Sequence, residues 1–219
     1  MTDFDETRAA ERLKQLRHHM PSEPELRVKA LETLLVRKGL ISPDTIEAWT
    51  QAYRDEIGPH RGADLVARAW VDADFKARLF EDATAFLRAF GYEGQESCHL
   101  RVVENTERVH NVIVCTLCSC YPWAVLGVPP DWYKQAAYRA RVVRDPRGVL
   151  REFGVDLSPD VEIRVWDSTA ELRYLVLPQR PRGTDGWTHE RLRALVTRNA
   201  MIGTQRDLSP ETATRGTGP

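Results

Sequence analysis

Val112-Ile113-Val114-Cys115-Thr116-Leu117-Cys118-Ser119-Cys120-Tyr121-Pro122 sets a short apolar run against a turn that carries three thiols. Successive β-branched residues favour a strand, so the cysteines fall where a strand ends and a loop can gather them around one ion. Thiolate is a soft, strongly donating metal ligand. Structural zinc asks for four side-chain ligands, usually as two separated pairs, and here the fourth is missing. His99 and His110 are the nearest histidines, and neither has a ligand-pair spacing. Cys118 and Cys120 flank a single residue, so chelation by both forces an ion against the intervening backbone. The backbone nitrogens of Ser119 and Cys120 then become possible ligands. A non-catalytic zinc module or thiol redox sensor stays open as the other reading of the cluster.

The chain has four cysteines, three of them in this loop, and Cys98 stands alone. Such close spacings suit disulfides poorly. In a reducing compartment clustered thiols indicate metal or redox chemistry. Cys98 reads as a small buried apolar residue.

Around the loop, His99 to Glu104, Asn111 to Cys115, Val161 to Trp166 and Leu172 to Leu177 are strand candidates. Between them, Pro129-Pro130-Asp131 introduces a short helix through Trp132 and Tyr138, and Asp145-Pro146 introduces another that ends near Gly154. A last helix is expected from Thr188 to Arg198. Upstream, residues 1 to about 90 read as helical. Leu26, Ala30, Leu31, Leu34 and Leu35 recur at helical spacing before a stop at Gly39. Ser42-Pro43 then caps a helix carrying Ile46, Trp49 and Tyr53, which Gly58-Pro59 ends. A further helix is expected from Phe75 through Leu79, Phe86 and Leu87 to Phe90, closed by Gly91.

The fold class is therefore mixed, α+β or α/β. The expected division is a helical arm over 1–40, a layered domain of short strands and helices over 41–203, and a polar, unstructured tail over 204–219. A chain of 219 residues buries such a core without disulfides. Lys and Arg number 31 against 32 Asp and Glu, for a net charge of -1, which argues against a nucleic-acid partner or an anionic membrane surface. No segment approaches 18 consecutive apolar residues, and the first residues have neither a basic nor an apolar signal region. A soluble cytoplasmic protein is expected.

The cysteine segment with Trp123 resembles the metal claw of nitrile hydratase α subunits. The resemblance takes in Val103-Glu104-Asn105-Thr106, Gly127 to Lys134, Tyr138 to Arg144, Arg147 to Leu150, Val161 to Asp167, Arg173-Tyr174 and Leu177 to Thr184. It covers residues 20 to 203 and implies the α-subunit fold of that family. Thr116 and Tyr121 match the cobalt enzymes, whereas iron enzymes tend to carry Ser and Thr there. The resemblance thus implies low-spin Co(III), one per α subunit, with Fe(III) as the alternative. It implies ligation by the sulfurs of Cys115, Cys118 and Cys120 and by deprotonated backbone nitrogens of Ser119 and Cys120, with a sixth position open. Cys118 is expected to mature to a sulfinate and Cys120 to a sulfenate, successive rungs of thiol oxidation.

Such a centre would hydrate nitriles to amides, with the Cys120 sulfenate oxygen as nucleophile or base and Ser119 hydrogen-bonding near the open position. Gln95 and Glu171 are the remaining catalytic candidates. Glu171 aligns without gaps, while Gln95 requires a one-residue insertion near Ser97. Trp123 is expected to line the substrate pocket, and Asp167 either supports the loop or ends a strand. Ala124 and Glu107 stand where prolines are frequent in the family. A β subunit is implied as partner, in an αβ heterodimer that assembles to α2β2, with a cobalt activator protein during maturation. The nearest rival is the γ subunit of thiocyanate hydrolase, which tends to place an arginine where Trp123 stands.

Overall fold

The computed structural model describes residues 23–92 and 98–209. By backbone proximity the chain forms two compact units, Met1–Thr50 and Gln51–Pro219.

In the first unit, α1 (Glu23–Arg37) opens on Glu23 and Glu25 and closes on Arg37, so charges of both signs complement its dipole. Gly39, at φ 67°, reverses the chain, and the Leu40 N–H returns to the Leu35 carbonyl at 3.0 Å. Ser42 Oγ accepts the Asp44 N–H at 3.2 Å and starts α2 (Pro43–Gln51) as the sequence reading expects. Neither helix has a buried residue. Leu26, Val28, Leu31, Leu34 and Trp49 are all exposed.

The second unit begins with a departure from the expected pattern. From Ala52 to Ile57 the backbone widens into a π-helix, and the Gly58 N–H reaches five residues back to the Tyr53 carbonyl at 2.9 Å. Helix α3 (His60–Val71) then buries Ala63, Leu65, Val66, Ala67 and Ala69. The single helix expected from Phe75 to Phe90 is two, α4 (Ala73–Glu81) and α5 (Ala83–Ala89). Asp82 divides them because its carboxylate accepts the Ala85 N–H at 2.9 Å, and a residue acting as N-cap leaves helical geometry. Asp72 caps α4 in the same way on Phe75.

Strands β1 (His99–Glu104) and β2 (Val109–Val114) are joined by a turn around Asn105 and Thr106. Asn105 Oδ1 accepts the Asn111 N–H at 2.7 Å, and Asn111 Oδ1 accepts from the Trp166 indole at 2.8 Å. β3 (Glu162–Asp167) and β4 (Leu172–Leu177) complete two separate two-stranded parallel sheets, β1 with β4 and β2 with β3. A parallel pair needs a long crossover. Between β2 and β3 that crossover holds the cysteine loop and four helices: α6 (Trp123–Leu126), α7 (Asp131–Lys134), α8 (Ala136–Arg144) and α9 (Pro146–Glu152). The expected helix through Trp132 and Tyr138 is thus broken, at Gln135, whose extended backbone separates α7 from α8.

The last expected helix is also two, α10 (His189–Leu195) and α11 (Arg198–Ile202), because the Thr197 hydroxyl caps a fresh start on the Ala200 N–H. The first residues of the expected tail are packed: Leu208 lies against Leu195 and Ala200, and burying these apolar faces outweighs the polar neighbours. Residues 210–219 lie outside the described residues. The architecture is α+β, with a core of Val66, Phe75, Val112, Ile113, Leu126, Leu150 and Leu175 around the two sheets. Among the described residues, no helix is long and apolar enough to cross a membrane.

Candidate metal centre

Strand β2 is buried along nearly its whole length and delivers Cys115, 1 % exposed, at its end. The next residues turn outward, and Leu117 at the tip is 88 % exposed. The turn brings the three sulfurs together: Cys115 Sγ lies 3.5 Å from Cys118 Sγ, which lies 3.3 Å from Cys120 Sγ. All three fall within 4.8 Å of one another. The Cys118 N–H points at Cys115 Sγ at 3.3 Å. No histidine or carboxylate joins this group among the described residues.

The loop is held from three sides. Asp167, paired with Val114 across the β2–β3 register, accepts the Thr116 N–H at 2.9 Å and the Thr116 hydroxyl at 2.6 Å. Both roles expected of Asp167 are present, since it is the last residue of β3 and its carboxylate supports the loop. Arg139 on α8 donates to the Cys118 carbonyl at 2.9 Å and reaches the Thr116 carbonyl at 3.4 Å. The Tyr133 hydroxyl on α7 donates to the Cys120 carbonyl at 2.9 Å. Tyr121, wholly buried, stacks edge-on against Tyr133 with ring centroids 5.1 Å apart. Sequence reasoning missed Arg139 and Tyr133, since nothing in their spacing to the cysteines marks a contact made across a crossover.

Electrostatics separate the thiols. Hydrogen bonds from the Cys120 and Cys115 thiols pull the Cys118 pKa down to about 7. Burial, then the same Cys118 contact, pushes Cys120 up to about 12, opposed by the positive charge of Arg173. Arg173 Nε and Nη1 are buried without a hydrogen-bond partner, as is Arg139 Nε. Unused guanidinium donors beside a sulfur cluster suit a site that carries anionic sulfur.

These donors fit a thiophilic metal. Three sulfurs lie within reach of one ion on a loop held through its carbonyls, and the Ser119 and Cys120 backbone groups hydrogen-bond to the Cys118 sulfur, so they face the same cluster. Zinc's usual four side-chain ligands are not assembled among the described residues.

The other expected site residues are placed as follows. Ser119 is half-buried between the two outer cysteines. Trp123 is half-buried and begins α6, three residues beyond Cys120. Glu171 sits exposed in the turn between β3 and β4, where its carboxylate accepts from the Thr169 hydroxyl at 3.1 Å. Among the described residues no hydrogen bond joins it to the cysteine loop. Gln95 lies outside the described residues, and Cys98 is half-buried just before β1.

Residues 22–205 match the family described as nitrile hydratase, alpha chain. The chain belongs to this family. The low-molecular weight cobalt-containing nitrile hydratase subunit alpha of Rhodococcus rhodochrous is 59 % identical over 187 residues, covering 85 % of this chain and 90 % of the relative. The cobalt-containing α subunit of Pseudonocardia thermophila is 49 % identical over 194 residues, covering 88 % and 95 %. Among solved structures, an Fe-type nitrile hydratase double mutant from Comamonas testosteroni Ni1 superposes with a TM-score of 0.79 at 42 % identity, covering 87 % and 94 %. The nitrile hydratase α fold expected from the cysteine segment is therefore the fold observed. The rival is more distant: the thiocyanate hydrolase γ subunit of Thiobacillus thioparus is 42 % identical over 193 residues, covering 83 % of this chain and 79 % of the relative.

Proposed function

We propose that this chain is the metal-bearing α subunit of a cobalt nitrile hydratase, which adds water to a nitrile to give the amide. The observation that carries the reading is the gathering of Cys115, Cys118 and Cys120 within 4.8 Å at the end of β2, in a chain 59 % identical to a cobalt-containing relative. The three sulfurs and the backbone nitrogens of Ser119 and Cys120 would hold the ion. When bound, a trivalent ion supplies Lewis acidity toward a nitrile or a water.

The chain's own groups do the rest. Asp167, Arg139 and Tyr133 fix the loop backbone, so its carbonyls and amides keep their directions during turnover. Cys118 as sulfinate and Cys120 as sulfenate place anionic oxygens where substrate arrives. The Cys120 oxygen then acts as nucleophile or as base toward water. Ser119 orients the attacked group by hydrogen bonding, and Gln95 and Glu171 are the remaining catalytic candidates. Trp123 supplies an apolar wall, which suits a neutral nitrile better than anionic thiocyanate.

A partner completes the site. The exposed leucines of α1 and the exposed Leu117 leave apolar surface that a β subunit would cover. A groove of about 270 Å³ beside the loop, lined by Thr116, Ala136, Arg139, Ala140, Val143 and Arg144, offers a further seat. On this reading residues 1–40 serve as an arm for the partner, and two αβ pairs form the α2β2 enzyme after an activator has delivered cobalt. Clustered thiols of this kind belong in the reducing cytoplasm.

The test is the metal content of the chain co-expressed with its β subunit and activator in cobalt-supplemented medium, read by elemental mass spectrometry beside amide formation from acrylonitrile. One cobalt per αβ pair with amide formation is expected. Stoichiometric zinc without cobalt and without turnover would overturn the reading.

A further inference from the structure

The π-helix from Ala52 to Ile57 is the one irregular helix among the described residues, and it lies against the helix that carries Trp123. The Tyr53 ring meets the Trp123 indole edge-on, with centroids 5.8 Å apart and planes at 86°. Immediately after the π-helix, Gly58 packs backbone to backbone on Gly127, the residue that ends α6. A Cβ on Gly127 would sit 2.6 Å from the Gly58 Cα, and Gly127 itself is at φ 66°. Gly62 on α3 is pressed against the Leu126 side chain and the Val125 carbonyl in the same way. The four-residue helix that starts at Trp123 is thereby fixed at its far end by glycine contacts and at its near end by Tyr53.

π-Turns inside helices tend to occur at functional sites, because the extra residue re-aims the side chains around it. Here the wide turn puts Tyr53 edge-on to a residue only three positions from Cys120. Edge-to-face geometry restricts the partner ring to few orientations. Both rings are half-buried, so the indole has one restrained side and one side that solvent or a ligand can reach.

The geometry points to Tyr53 as a positioning residue for Trp123 and, through it, as a determinant of which nitriles the site accepts. Resting on the hydratase reading above, the inference is that the Tyr53 ring holds the indole forward as a rigid wall. The wall favours small aliphatic nitriles over bulky aromatic ones. Without the ring the indole tilts back and admits the larger substrate.

The assembled αβ enzyme tests this with acrylonitrile and benzonitrile, comparing kcat/KM for each. Tyr53→Leu should raise the benzonitrile-to-acrylonitrile ratio by about tenfold, the low end of what one hydrophobic pocket contact discriminates. The change should fall mainly in KM for benzonitrile, with cobalt content unchanged. Tyr53→Phe, which keeps the ring, should restore the original ratio. In a Trp123→Leu background, Tyr53→Leu should shift the ratio no further. An unchanged ratio for Tyr53→Leu in an enzyme that hydrates acrylonitrile, or an equal shift in the Trp123→Leu background, overturns the inference and leaves the hydratase reading standing. A cobalt-loaded parent enzyme that hydrates neither nitrile overturns the hydratase reading itself. If Tyr53→Leu does not assemble, Tyr53→Met, which likewise removes the ring, carries the same comparison, and an unchanged ratio there is equally decisive against the inference.

Discussion

Asp167 closes both of its carboxylate oxygens on Thr116, one on the backbone N–H and one on the hydroxyl, across 51 residues of sequence. Thr116 follows the first cysteine of the cluster, so this contact sets where the loop leaves strand β2. Charge-assisted bonds of this kind are about twice as strong as neutral ones.

Replacing Asp167 by Asn turns one acceptor into a donor facing either the N–H or the hydroxyl of Thr116. Cobalt retention and hydration rate should each fall by about ten- to a hundredfold, the usual loss when a group supporting a metal ligand is removed. Elemental analysis after dialysis, together with initial rates on acrylonitrile, checks this.

Arg139 braces the loop from the opposite side through the Cys118 carbonyl. Arg139→Ala should lower cobalt retention by roughly tenfold. Arg139→Lys, which can reach one carbonyl but offers no planar fork, should fall between. Equal retention in all three proteins would show that the brace is dispensable.

Much of this was legible beforehand, and the rest was hidden for identifiable reasons. The four strands declared themselves because β-branched runs alternate with turn residues, and the cysteine spacing itself indicated one ion. The paired helices were less visible. At Asp82 and Thr197 a single polar side chain caps a new start, and at Gln135 the backbone turns extended with no side-chain cap, each inside an apolar pattern that continues across it. The π-turn at Ala52 leaves no periodic signature in six residues. The braces Arg139 and Tyr133 depend on the crossover from β2 to β3, which local spacing does not encode.

His110 gives a pH dependence of stability. Its ring is buried, with Nε2 2.7 Å from the Gly203 carbonyl, and burial first, then the charge of Arg206, hold its pKa below the ordinary 6.5. The folded state therefore refuses a proton that the unfolded chain accepts below about pH 6.5, and stability falls as pH drops through that point. One proton per molecule corresponds to about 1.4 kcal/mol per pH unit, which is the ceiling on the slope from this group. His110→Gln should flatten the curve of Tm against pH between 5 and 7, and an unaltered slope would assign the effect to other groups.

Gly127 allows no side chain, because its φ is positive and the Gly58 backbone occupies the space. Gly127→Ala should cost about 3 kcal/mol and lower Tm by on the order of 10 °C. Thermal denaturation of the αβ complex measures both.

The parallel pairing of β2 with β3 has a consequence for the order of assembly. Cys115, Cys118 and Cys120 leave the ribosome well before Asp167, and Arg139 and Tyr133 follow them as well. The nascent thiols are thus in solution for a time without their braces, free to meet any thiophilic ion. The Asp167 contacts to Thr116 close only once the later strand has docked beside the earlier one. The braced loop is in this sense deferred until the fold is complete, and a chain truncated before Asp167 would present the cysteines without the contacts that hold Thr116.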